Sequence, residues 1–130
     1  MMNNINELYD ALEKECDVYV VSTDSFNPCK VGVAKSVFNR MKSLQGASAR
    51  KFYPMACYSC PSIKQARQVE QEAHKILKAN GKHLQGEWFD VRAKQACDAI
   101  EFAALTLGIE VECSSKACDA SWIWKNSYLL

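Results

Sequence analysis

The sequence has no run of the about 18 apolar residues that a membrane-spanning helix needs. Its longest greasy stretch, Ile100 to Ile109, is interrupted by Glu101 and Thr106 and reads as a core helix. The opening MMNNINELYDALEKE has neither a basic n-region nor an apolar h-region, so no secretory signal is expected and the chain is assigned to a cytoplasm. Repeats, linkers and low-complexity segments are also missing, and 130 residues suffice for one modest core but not two. The most informative absence is of acid: residues 25–69 contain no Asp or Glu at all.

That acid-free block carries eight bases, Lys30, Lys35, Arg40, Lys42, Arg50, Lys51, Lys64 and Arg67. It is flanked by residues 1–24, with six acids and one base, and by residues 70–130, with nine acids and seven bases. The formal net charge of +1 therefore hides a basic segment, which is where an anionic partner is sought first. Lys35, Lys42, Arg50, Lys51, Lys64 and Arg67 form either a solvated face or, since no acid interrupts them, a surface that tracks phosphates.

Seven cysteines without an export signal read as reduced thiols, mostly small buried apolar residues. Cys57-x-x-Cys60 has zinc-ligand spacing, but Cys113 and Cys118 are too widely spaced to complete a regular set, so structural zinc is not expected.

Periodicity gives a small α+β domain. Ile5, Leu8 and Leu12 mark a leading helix over residues 4–15, and 1–16 is set apart from a domain over 17–110 and an aromatic tail over 111–130. Val18 to Val21 and Cys29 to Ala34, joined by the turn-like Asp24-Ser25-Phe26-Asn27-Pro28, predict a hairpin. Ser36 caps a helix bearing Val37, Met41 and Leu44, and Lys51 to Tyr58 is a third strand. Pro61 opens the longest helix, about 61 to 79. Glu87 to Val91 reads as a short strand, and Arg92 to Leu107 as a last helix closed by Gly108.

Several polar residues then fall in apolar places. On the long helix, Ile63, Ala66, Ala73 and Leu77 lie within about 60° of Glu70, with His74 one turn on at the stripe's edge. A carboxylate in such a stripe must find a cation, a metal or donors, because an unpaired buried charge costs several kcal/mol or is neutralised by a shifted pKa. Arg40 sits three residues after Val37 and four before Leu44, bordering the inward face of its helix. Strand alternation puts Tyr19 and Val21 on one face and Lys30 and Gly32 on one face. If those faces coincide, Tyr19, Lys30, Arg40 and Glu70 converge; the plainer reading pairs Glu70 with Arg40, buries Tyr19 and lets Lys30 snorkel outward. Trp88 and Phe89 pack in the core or stack on bases, and Glu87 is a second acid or an ion-pair partner.

These segments, DVYVVSTDSFNPCKVGVAKSVFNRMKSLQ, ARQVEQEAH and GEWF, resemble the GIY-YIG nuclease superfamily. The resemblance is closest to its short branch, found in phage proteins and fungal meiotically up-regulated proteins. It implies a three-stranded antiparallel sheet flanked by helices and a one-metal hydrolysis of phosphodiesters, with Mg2+ or Mn2+ at Glu70. By the same resemblance, Tyr19, Lys30, Arg40 and Glu70 take the motif positions, and His74 matches a signature of the branch. The first-motif glycine is Asp17 here and the second-motif tyrosine is Lys30, the residue normal for the branch; the asparagine that often closes the site has no counterpart that could be placed. Tyr19 serves as base only if Lys30, Arg40 and metal favour its phenolate, and His74 competes for that role.

The implied function is a metal-dependent endonuclease in a bacterial or phage-infected cell. Its partner is nucleic acid, DNA before RNA, with no membrane, acting as a monomer or as a homodimer that cuts both strands. The alternatives are a non-catalytic nuclease-like module that binds nucleic acid or a partner protein, such as a phage factor acting against host defence, and a zinc-stabilised interaction domain through Cys57, Cys60, Cys113 and Cys118.

Overall fold

The computed structural model describes residues 18–23, 27–48 and 51–116. The leading helix, the turn residues 24–26, Arg50, Cys16, Cys118 and the aromatic end of the tail lie outside the described residues.

Valine-rich β1, Val18–Thr23, runs antiparallel to β2, Cys29–Val33, and both are almost wholly buried, as β-branched residues on a two-sided sheet should be. Ser36 caps α1, Val37–Gly46, by accepting from the Asn39 amide, and the chain returns as β3, Phe52–Ser59, on the other side of β1. Helix α2, Ile63–Ala79, begins after Ser62, whose side chain accepts from the Gln65 amide; Pro61 precedes the cap instead of opening the first turn. Next come β4, His83–Gln85, and β5, Trp88–Phe89, then α3, Ala93–Leu107, which ends on Gly108 at φ 69°. The last described strand is β6, Glu112–Lys116.

The class is α+β, with a sheet larger than the expected three strands. Six antiparallel strands run in the order β4-β5-β2-β1-β3-β6. The expected strand over Glu87 to Val91 shrinks to Trp88–Phe89 and pairs with an additional edge strand, while residues 112–116 of the expected tail extend the opposite edge.

One sheet face carries the core. Val18 and Val20 of β1, Cys29 and Val31 of β2, and Phe89 pack against Ala66, Val69, Ala73 and Leu77 of α2 and against Ala96, Cys97, Ile100 and Ala103 of α3. The greasy run of α3 is one-sided, since Phe102, Leu105 and Leu107 are exposed. Of the five described cysteines, Cys29, Cys57 and Cys97 are buried, whereas Cys60 is half-buried and Cys113 exposed. No described helix is long and apolar enough to cross a membrane.

Candidate active site

The register of the first hairpin decides which side chains meet. Tyr19 pairs with Gly32 and Val21 with Lys30, so all four project from the sheet face opposite the core. The Tyr19 ring lies across Gly32, so close that a Cβ on Gly32 would stand 2.5 Å from Oη and 2.6 Å from Cζ. Only glycine leaves room for this phenol. Trp88, opposite Lys30, belongs to the same face, and its ring meets Phe52 at 5.6 Å between centroids although β2 and β1 separate their strands. Phe89 instead points into the core and is fully buried.

β5 is only two residues long, so the outer edge of β2 is open from Val31 onward. Two groups satisfy that backbone: the Val31 amide donates to the Glu87 carbonyl at 3.1 Å, and His74 Nε2 lies 2.8 Å from the Val31 carbonyl oxygen. A carbonyl only accepts, so Nε2 carries the hydrogen and Nδ1 the lone pair. His74 is thereby held in one tautomer, its ring 5.0 Å from Phe89 between centroids.

At this edge α2 brings Glu70 within electrostatic reach of Tyr19, Lys30 and Glu87. Glu70 is half-buried at the edge of the buried stripe of Ala66, Val69 and Ala73, whereas the wheel puts it inside the stripe. Its neighbour is Glu87, in the turn before β5, whose charge acts on it. Glu87 also accepts from Lys30 Nζ at 2.6 Å. The lysine does not snorkel outward: its side chain is 15% exposed against 41% for Glu87, and the ion pair at the site joins these two instead of Glu70 and Arg40.

The electrostatics follow from this crowding. Burial, followed by the negative charge of Glu87, pushes Glu70 up to about 7, against the opposing pull of Lys30 and Arg67. Burial also drives the Tyr19 phenol well above its ordinary range; Glu87 and Glu70 add to this, and Arg40 works the other way. Burial lowers His74, though its bond to Val31 opposes the shift. Near neutral pH the site therefore holds a neutral phenol and a neutral imidazole beside a carboxyl poised to lose its proton.

Arg40 lies close enough to act on Tyr19, but it is exposed and not turned into the core; Met41 is the buried residue of that turn. With Ala34, Lys35, Ser36, Asn39 and Ser43 it lines a shallow cavity of about 290 Å³ that holds two cations and no acid. Lys42, Lys51, Lys64 and Arg67 are likewise exposed. The sequence does not decide the place of Glu87: its partner Lys30 is 57 positions away, and the only local signal is an acid between a turn glycine, Gly86 at φ 57°, and a strand.

Among the described residues no group of three or more His, Cys, Asp and Glu is placed to hold a metal ion. Glu70 and Glu87 offer a two-carboxylate set of hard oxygen donors, which suits magnesium, an ion that keeps several waters and commonly takes one or two carboxylates besides phosphate oxygens.

Comparison with known proteins agrees with a nuclease-like module. A search of the curated proteins found no match, and neither did one of the solved structures. The T5orf172 domain model matches residues 17–104, well over half of the chain and the whole stretch that carries Tyr19, Lys30, Arg40, Glu70, His74 and Glu87. That domain is associated with nuclease-type modules of GIY-YIG-like and HNH-like kinds. The chain belongs to the T5orf172 domain family.

Proposed function

We propose that the protein is a divalent-metal-dependent endonuclease of the GIY-YIG type that hydrolyses phosphodiester bonds in DNA. The observation that carries this reading is the meeting of Tyr19, Lys30, Glu70 and Glu87 around the edge of β2, where Glu70 is pushed up to about 7. A carboxyl so placed exchanges its proton for a cation with little change in local charge balance. Glu70 would hold magnesium or manganese, which when bound supplies Lewis-acid stabilisation of the phosphoryl oxygens and an acidified water.

The remaining work falls to the chain. Arg40, at the rim of an acid-free cavity, neutralises charge growing on the phosphoryl oxygens through charge-assisted hydrogen bonds. Lys30 adds a second cation. Tyr19 remains a phenol, so it donates a hydrogen bond instead of abstracting a proton. His74, neutral and with its lone pair on Nδ1, is the group whose chemistry suits acceptance of the water proton. The exposed Lys35, Lys42, Lys51, Lys64 and Arg67 bind the DNA backbone on either side.

Incubating supercoiled plasmid with the protein in magnesium or manganese tests this. Nicked or linear product that disappears in EDTA is expected, and intact plasmid under every metal condition contradicts it. A second reading, a module that binds nucleic acid without cutting, draws on the protonated state of Tyr19. Calorimetric titration of magnesium in the presence of DNA separates the two, because that module takes up no ion at Glu70.

A further inference from the structure

We propose that Glu87 is a positioning residue for Lys30: it holds the ammonium at the site in a neutral pair and yields it to a phosphate of the nucleic-acid backbone. The inference rests on the reading of this face as phosphate-facing.

The two partners differ in freedom. The lysine side chain is enclosed at 15% exposure, while the carboxylate, 2.6 Å away, is 41% exposed. The backbone of Glu87 is fixed, because its carbonyl accepts from Val31 and the next residue, Trp88, is paired with Lys30 itself. Of the two side chains, that of Glu87 is therefore the one with solvent to turn into. Release of the lysine therefore leaves a carboxylate that water reaches and hydrogen-bonds.

The pair also sets what Lys30 offers to DNA. Bound to Glu87, the ammonium belongs to a unit of zero net charge and contributes little to the counterion release that drives phosphate binding. Its remaining donors stay open, so an arriving phosphate, with oxygens of its own for a charge-assisted bond, can take the ammonium over. Lys30 is then a cation that engages only where a phosphate reaches the site, unlike the exposed lysines outside it.

The test is a double-mutant cycle on DNA affinity, read by fluorescence anisotropy with a labelled duplex in EDTA, where neither metal nor cleavage enters. Glu87→Gln should bind more tightly than wild type and steepen the plot of log affinity against log salt by about one phosphate contact. Lys30→Met should lose less than one full phosphate contact, because the ammonium has to leave Glu87 to make that contact, and the double variant should match Lys30→Met. A gain that persists in the double variant reflects mere loss of a negative charge and overturns the proposal, as does a Glu87→Gln protein that binds no better than wild type. Lys30→Met gives a second handle that does not depend on Glu87→Gln folding: a loss of a full phosphate contact from this change alone also overturns the proposal. Failure of wild type and variants alike to bind at low salt would overturn the phosphate-facing reading along with it, whereas wild-type binding with no gain in Glu87→Gln removes only the role of Glu87.

Discussion

Tyr19 and Gly32 stand directly opposite each other in the first hairpin, and the phenol occupies the space that a side chain at position 32 would fill. The ring is rigid and almost completely buried, so it has no inexpensive way to give ground. Gly32→Ala should therefore lower stability by about 1–3 kcal/mol, as overpacking typically does, and displace the phenol from the site. Urea denaturation measures the first effect. Plasmid cleavage should fall further than the lost stability explains, since the folded fraction stays high; unchanged cleavage would mean that the phenol's position is immaterial.

Glu70 gives the metal-free protein a pH dependence of definite sign. The folded carboxyl holds its proton up to about 7, whereas the unfolded one releases it near 4.5. Between those values the folded state binds more protons, so this contribution is full below about 4.5 and is lost as pH rises through 7. In EDTA, the urea midpoint of wild type should fall relative to that of Glu70→Gln over this window. Parallel midpoints from pH 4 to 8 would show that the site does not disfavour the carboxylate.

The same competition between proton and cation separates two origins of an acid limb in the pH–rate profile. If the limb reports Glu70, raising the magnesium concentration moves it to lower pH, because the ion displaces the proton. A limb set by His74, whose ring is tied to Val31 and whose value lies below the ordinary imidazole range, stays where it is. Cleavage rates at several magnesium concentrations read this directly, and movement with metal is the expected result.

Lys35 shares the cavity of Arg40 and is exposed. Lys35→Ala should weaken DNA binding about equally for unrelated sequences and reduce the salt slope by about one. A change that depends strongly on sequence would instead assign this lysine to base readout.

Much of this site was legible in the chain because it depends on local periods. Glu70 stands out within an apolar helical stripe, Ser36 starts its helix, and strand alternation places Tyr19 with Val21 and Lys30 with Gly32. What escaped depends on long-range pairing. His83, Leu84 and Gln85 are all exposed, so β4 has no buried alternation to betray it, and Glu112 to Lys116 lacks apolar residues at strand spacing. The shortness of β5, which opens the edge of β2 to His74 and Glu87, is likewise invisible until the strands are assembled. The spacing of Arg40 puts it at the border of the inward face, yet it lies on the exposed side, because α1 buries Met41 and leaves a cavity beside its first turns.

The central claim is that Glu70 holds the metal that hydrolyses DNA. Its most direct measurement is the initial rate of supercoiled plasmid relaxation in saturating magnesium for wild type and Glu70→Gln, with both shown to be folded by circular dichroism. The variant keeps the size and hydrogen-bonding capacity of the side chain but cannot supply a charged ligand. Metal-dependent relaxation by wild type and a rate at least about a hundredfold lower for Glu70→Gln is the predicted result, in line with the loss of transition-state charge stabilisation. Equal rates for the two proteins would contradict it.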